Sequence, residues 1–135
     1  MKFSKTFFLL CCIGVCIWSC TPSLNKITTT SKEPPVVIAN DSLAYEIIII
    51  DPGFTMYLNT IAKPTGYYSQ NYLENKNLFY VSTWNYRVTN VNQFNPNIYE
   101  NIIDYDPNIN YGYEVNYKLF NYFEFAQQKY RMQLK

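Results

Sequence analysis

Ala44-Tyr45-Glu46-Ile47-Ile48-Ile49-Ile50-Asp51-Pro52-Gly53 is the stretch on which the fold turns. Four consecutive isoleucines are stiff at χ1 and suit a pleated strand better than a helix. A run this apolar, with little alternation, reads as a buried strand. Asp51-Pro52-Gly53 stops it. Asp suits a helix N-cap, and Pro suits the first helical position, where its missing N–H would be unpaired anyway. A short helix then fits Phe54 to Ala62, with Phe54, Leu58 and Ile61 on one face. Lys63-Pro64-Thr65-Gly66 is a turn signal.

Further along, Ser69 can cap a helix running to about Thr89. Leu73, Tyr80, Trp84 and Val88 recur at spacings of seven and four, and Tyr72, Phe79 and Tyr86 fill a neighbouring stripe. Asn95-Pro96-Asn97 breaks the chain, and Ile98 to Tyr105 reads as a second strand closed by Asp106-Pro107. A last helix fits Gly112 to Met132. Its core stripe is Val115, Leu119, Tyr122, Phe123, Ala126 and Tyr130. Tyr113, Tyr117, Phe120 and Phe125 fall partly outside that stripe, so some rings should be exposed or held in a partner contact.

The expected order is strand, helix, helix, strand, helix. This is a small α/β or α+β domain over residues 41–135, with a short two-stranded sheet packed by three helices. Strands joined through helices can pair in parallel with a right-handed crossover. The two strand segments also echo each other. Tyr45-Glu46-x-Ile48-Ile49 precedes Asp51-Pro52, and Tyr99-Glu100-x-Ile102-Ile103 precedes Asp106-Pro107.

Upstream, Met1-Lys2-Phe3-Ser4-Lys5 carries two positive charges, and an uncharged apolar run from Phe7 to Trp18 follows. About a dozen apolar residues is the length of a secretory signal's hydrophobic region. A spanning helix needs roughly 20, which makes a plain transmembrane anchor the weaker reading. The run ends Ile17-Trp18-Ser19-Cys20. This resembles the lipobox cut by the lipoprotein signal peptidase, an aliphatic residue and two mostly small residues before a cysteine. Ile17, Ser19 and Cys20 match, and Trp18 departs. The resemblance implies a signal peptide over residues 1–19 and diacylglycerol on Cys20; the plainer alternative is an ordinary signal with a chance cysteine. Two or three acyl chains would hold the protein on a membrane essentially permanently, since each buried methylene contributes about 0.8 kcal/mol. Thr21 follows the cysteine where an inner-membrane retention signal resembles an Asp, and no acid precedes Glu33. Those resemblances favour the outer membrane, facing the periplasm, over surface export. Residues 20–40 are rich in Ser, Thr and Pro and read as a flexible tether with a reach of roughly 25 Å.

Composition excludes several chemistries. The chain has no His, and its four cysteines, Cys11, Cys12, Cys16 and Cys20, all lie in the signal or at the lipid site. A Ser-His-Asp or Cys-His catalytic set cannot be built, nor a His or Cys zinc site in the folded part. Setting aside Lys2 and Lys5 leaves nine basic against ten acidic side chains. That gives no basic footprint for nucleic acid. No cofactor motif is present. The fourteen tyrosines offer apolar bulk with a polar tip, which suits half-buried positions and interfaces.

Three constellations could carry chemistry or binding; one is the aromatic surplus, including Trp84, Tyr67 and Tyr68, whose rings can stack on sugars or meet a protein partner and whose plainer role is core packing. Asp104, Asp106, Asn108 and Asn110 alternate oxygen-bearing side chains as in a calcium loop. Counted from Asp104, however, the sixth position is Ile109 rather than Gly and the twelfth is Val115 rather than Glu. The plainer reading is a set of Asx turns leading into the next helix. Asp51 and Asp104 or Asp106 would also share a sheet end if the two strands were adjacent and parallel. There they could hold a cation or work as acid and base in a hydrolase. Capping is again the plainer role.

Three runs carry a wider likeness: Tyr45 to Gly53, Gly66 to Asn77, and Ile103 to Tyr117. In these the chain resembles a family of short lipoproteins of unknown function from Bacteroidetes-type bacteria. The likeness covers about residues 43–130 and implies export and lipidation, and it names no catalytic residue. The sequence therefore leads to a lipid-anchored, non-enzymatic envelope protein that scaffolds a protein partner. Binding of glycan through exposed aromatics, or of calcium through Asp104 to Asn110, is the alternative.

Overall fold

A computed structural model of the chain describes residues 33–134. Strand β1 (Val36–Asn40) pairs antiparallel with β2 (Tyr45–Ile49), in a register running from Val36 opposite Ile49 to Asn40 opposite Tyr45. Between them Asp41–Leu43 makes one 3₁₀ turn, with the Asn40 side chain accepting from the Ser42 N–H. Ala44 then reverses the chain at φ 50°. Three helices follow: α1 (Phe54–Thr60), α2 (Gln70–Thr89) and α3 (Tyr113–Tyr130). The result is a small α+β domain, a two-stranded sheet against three helices, as expected.

The order differs from the expected one in two places. Val36–Asn40, assigned to the tether, is the sheet's first strand. Its Val36-Val37-Ile38 run sits between Pro35 and Asn40, as a strand signal should. Ile98 to Tyr105, assigned to a strand, forms none. The sheet is thus an antiparallel pair joined by a four-residue turn, and no parallel crossover exists among the described residues. Residues 1–19, Cys20 and the first part of the tether lie outside the described residues.

Helix α3 is the axis of the domain. Leu119, Phe123 and Ala126 are fully buried, and so are rings on several sides of the helix. A helix apolar nearly all round belongs in the middle of a core. Phe54 of α1 packs edge-on to Tyr122, with centroids 5.6 Å apart, and lies beside Phe125. Trp84 of α2 meets Tyr122 and Phe123. Leu73 forms a second cluster with Tyr117 and Phe120, and Ile38 closes the core from β1. Burying each such side chain contributes about 1.5–3 kcal/mol. Tyr117, Phe120 and Phe125 were expected to be partly surplus and are buried; the exposed rings sit instead at Tyr67 and on α2, at Tyr72, Phe79 and Tyr86.

Asparagine is a poor residue for a helix interior, yet α2 and α3 carry three fully buried ones. Asn77 donates to the backbone oxygen of Asn116 at 2.9 Å and to its side chain at 3.1 Å. Tyr105 donates to the same Asn116 side chain at 2.7 Å. Asn121 donates back to the Tyr117 carbonyl at 2.8 Å. The first two fix how α2 lies on α3.

Candidate functional site

A groove of about 540 Å³ runs along the side of β2 that faces away from β1. One wall is β2 and its continuation through Ile50, Asp51 and Pro52; the other is the segment 97–104, which leaves a turn and has no regular secondary structure. The walls are the two echoing stretches of the sequence. Buried Trp84, Tyr122, Ile49 and Ile103 form the floor.

Side chains of α2 hold the second wall away from β2. The Trp84 indole donates to the Asn101 carbonyl at 3.0 Å. Asn85 takes both backbone groups of Ile103: it donates to the carbonyl at 2.8 Å and accepts from the N–H at 2.8 Å. That double bond imitates a neighbouring strand. It satisfies Ile103 without β2, which explains why a β-branched run does not join the sheet.

Tyr45 closes one end of the groove by donating to the Asp104 carbonyl at 2.7 Å. Asp51 closes the other. It pairs with Lys129 and accepts from the Tyr130 hydroxyl at 2.9 Å. Burial and this carboxylate push the Tyr130 phenol up to about 12. Burial, then the charges of Asp51 and Glu100, also push the Tyr122 phenol up. Glu100 therefore lies towards the Asp51 end and Asp104 at the Tyr45 end, so the second wall runs opposite to β2.

The expected convergence of Asp51 with Asp104 or Asp106 accordingly does not occur. Asp51 and Asp104 line one groove but sit at its two ends, separated by the length of β2, about 16 Å at 3.3 Å per residue. Asp106 lies apart from the groove. Its carboxylate accepts from the N–H and side chain of Asn108, at 2.8 and 2.9 Å. Asn110 accepts from the Gly112 N–H at 3.0 Å and from Gln70 at 2.9 Å. These are the Asx turns that deliver the chain into α3. Among the described residues no three of Asp, Glu, His or Cys converge as a metal site. Helix α1 is not capped by Asp51. Its N-cap is Gly53, and the Glu33 carboxylate accepts from the Gly53 and Thr55 N–H groups, the latter at 2.9 Å.

A family model matches residues 7–135, nearly the whole chain. The chain belongs to DUF6146, a family of unknown function. Neither a curated protein nor a solved structure matches it. In this DUF6146 chain no described helix is long and apolar enough to cross a membrane.

Sequence reading singled out Asp51, Asp104 and Trp84, expecting the last as an exposed ring where it is the buried floor, and missed Glu46, Glu100 and Asn85. A signal for Asn85 was available. A half-buried Asn in the last third of a long helix invites a search for backbone that its amide can serve.

Proposed function

We propose that this protein is a non-enzymatic interaction module, anchored through lipidated Cys20 in the outer membrane and presenting its β2 groove to an envelope protein. One observation carries the reading: large apolar side chains stand exposed on both walls of a single groove. Ile48 is 53% exposed, Ile50 76% and Ile102 61%. Solvated strands turn polar residues outwards, whereas clustered exposed isoleucines beside a concavity mark an interaction surface. The acids there have structural partners or open solvent, with no paired carboxylates set for proton transfer. The lipobox-like Ile17-Trp18-Ser19-Cys20 supports the anchor.

The test is crosslinking in intact cells followed by capture of the protein, with Cys20→Ser as the unanchored control. One defined envelope protein, crosslinked through the groove and lost in the control, is the expected result. Capture of lipid or glycan alone would defeat the reading.

A further inference from the structure

The groove has a chemistry more specific than an apolar patch. β2 is an edge strand: β1 covers one side, and the other opens into the groove. Alternate residues of an antiparallel strand turn their N–H and C=O groups away from the partner, so β2 offers there a row of donors and acceptors that no described residue engages. The opposite wall does not use them, because Asn85 and Trp84 hold it to α2. Charge is one-sided. Among the described residues, Glu46, Asp51, Glu100 and Asp104 line the groove and no Lys or Arg does. Lys129, from outside the lining, pairs with Asp51 and donates to the Pro52 carbonyl at 2.8 Å, and among the described residues Glu46, Glu100 and Asp104 have no ion-pair partner. Depth sorts the rest: Trp84 and Tyr122 are buried at the floor, and Glu46 and Glu100 are exposed at the rim.

We propose that the β2 groove binds an extended cationic peptide segment of a partner protein by strand addition, with its apolar side chains turned to the Trp84–Tyr122 floor and its Lys or Arg side chains turned to Glu46 and Glu100. An extended chain alternates its side chains between two faces, and this groove offers an apolar face below and an acidic face above. A second copy of this chain fits poorly, since the same acidic rim on another copy supplies no cationic side chain for Glu46 and Glu100. The inference rests on the interaction-module reading and names the class of partner for it.

Trp84 makes the test direct, because Trp18 is the chain's only other tryptophan. The full chain carrying Trp18→Phe, in detergent micelles, is titrated with a peptide of alternating Lys and Val about six residues long, an average strand. Trp84 fluorescence should change and saturate, and the alternate amides of Glu46 to Ile50 that face the groove should gain protection from hydrogen exchange. Glu46→Lys with Glu100→Lys, both at exposed positions, should weaken binding about tenfold, and added salt should weaken it in the parent. An alternating Glu–Val peptide should not bind. The inference is overturned if the Lys–Val peptide does not bind, if it binds without protecting β2, if the Glu–Val peptide binds equally, or if β2 is protected by self-association instead. Should the peptide fail while cell crosslinking captures an envelope protein through the groove, strand addition falls and the interaction-module reading stands.

Discussion

Asn85 shows how a single side chain settles the topology. Its amide meets both hydrogen-bonding groups of Ile103, the role a strand would otherwise play. Ile98 to Tyr105 has the composition of a strand, and composition states only that a segment can pair. Where its backbone bonds go depends on a residue eighteen positions away on a helix, which no local pattern discloses. The same holds at the site: Asp51 stood out beside Pro52, but Lys129 and Tyr130, which engage it, lie more than seventy residues on. Asn85→Ala should therefore leave α2 helical while freeing the Ile103 backbone. Removing one partner of a half-buried pair costs about 1–3 kcal/mol, and half-burial places this case towards the lower end. Thermal unfolding should show that loss. Hydrogen exchange should show the Ile103 amide deprotected while the buried turns of α3 keep their protection. An Ile103 amide as slow as in the parent would mean that the wall is held by packing.

Among the elements, helices were legible and the sheet only half so. Ser69, with its side chain accepting from the Tyr72 N–H at 3.2 Å, starts α2 where capping chemistry places it. The Ile-rich run is β2, as its β-branching requires. β1 was hidden because Ser, Thr and Pro around it suggested a linker, although Val36-Val37-Ile38 is as β-branched as its partner. Its neighbour Glu33 is the less foreseeable part, since it caps α1 across twenty residues. The Gly53 N–H, then Thr55, hold the Glu33 carboxyl below its ordinary value of 4.5. A carboxylate held down in this way stabilises the fold fully above its ordinary value, and the contribution fades as the pH falls through the lowered one. Glu33→Gln should lower the melting temperature at neutral pH, and the gap from the parent should close under acid. A gap of equal size at every pH would assign the effect to shape and hydrogen bonding, leaving the charge at the start of α1 without a role.

On the scale of the whole molecule, the domain is a tyrosine-rich core wound round α3, and that sets its response to base. No His is present and every Cys lies within the first twenty residues, so the described domain has no side chain that ordinarily titrates between pH 5 and 8. Burial pushes the phenols of Tyr80, Tyr105 and Tyr130 up to about 12, and those of Tyr45 and Tyr122 up as well. For Tyr80 and Tyr130 the carboxylates that accept their hydroxyl protons, Glu124 and Asp51, add to the shift. A phenol whose folded value is raised contributes stability that is complete below its unfolded value of 10 and is lost as the pH rises through the folded one. Stability should thus stay level near neutrality and fall steeply from about pH 10 upwards, because several phenols lose their protons more readily in the unfolded chain. The check is an alkaline titration followed in parallel by tyrosinate absorbance and by helical circular dichroism. Tyr45, Tyr80, Tyr105, Tyr122 and Tyr130 should ionise together, in a step that coincides with unfolding. A smooth titration of all the tyrosines near pH 10, with the helix signal intact, would mean that these rings are not buried as a set around α3.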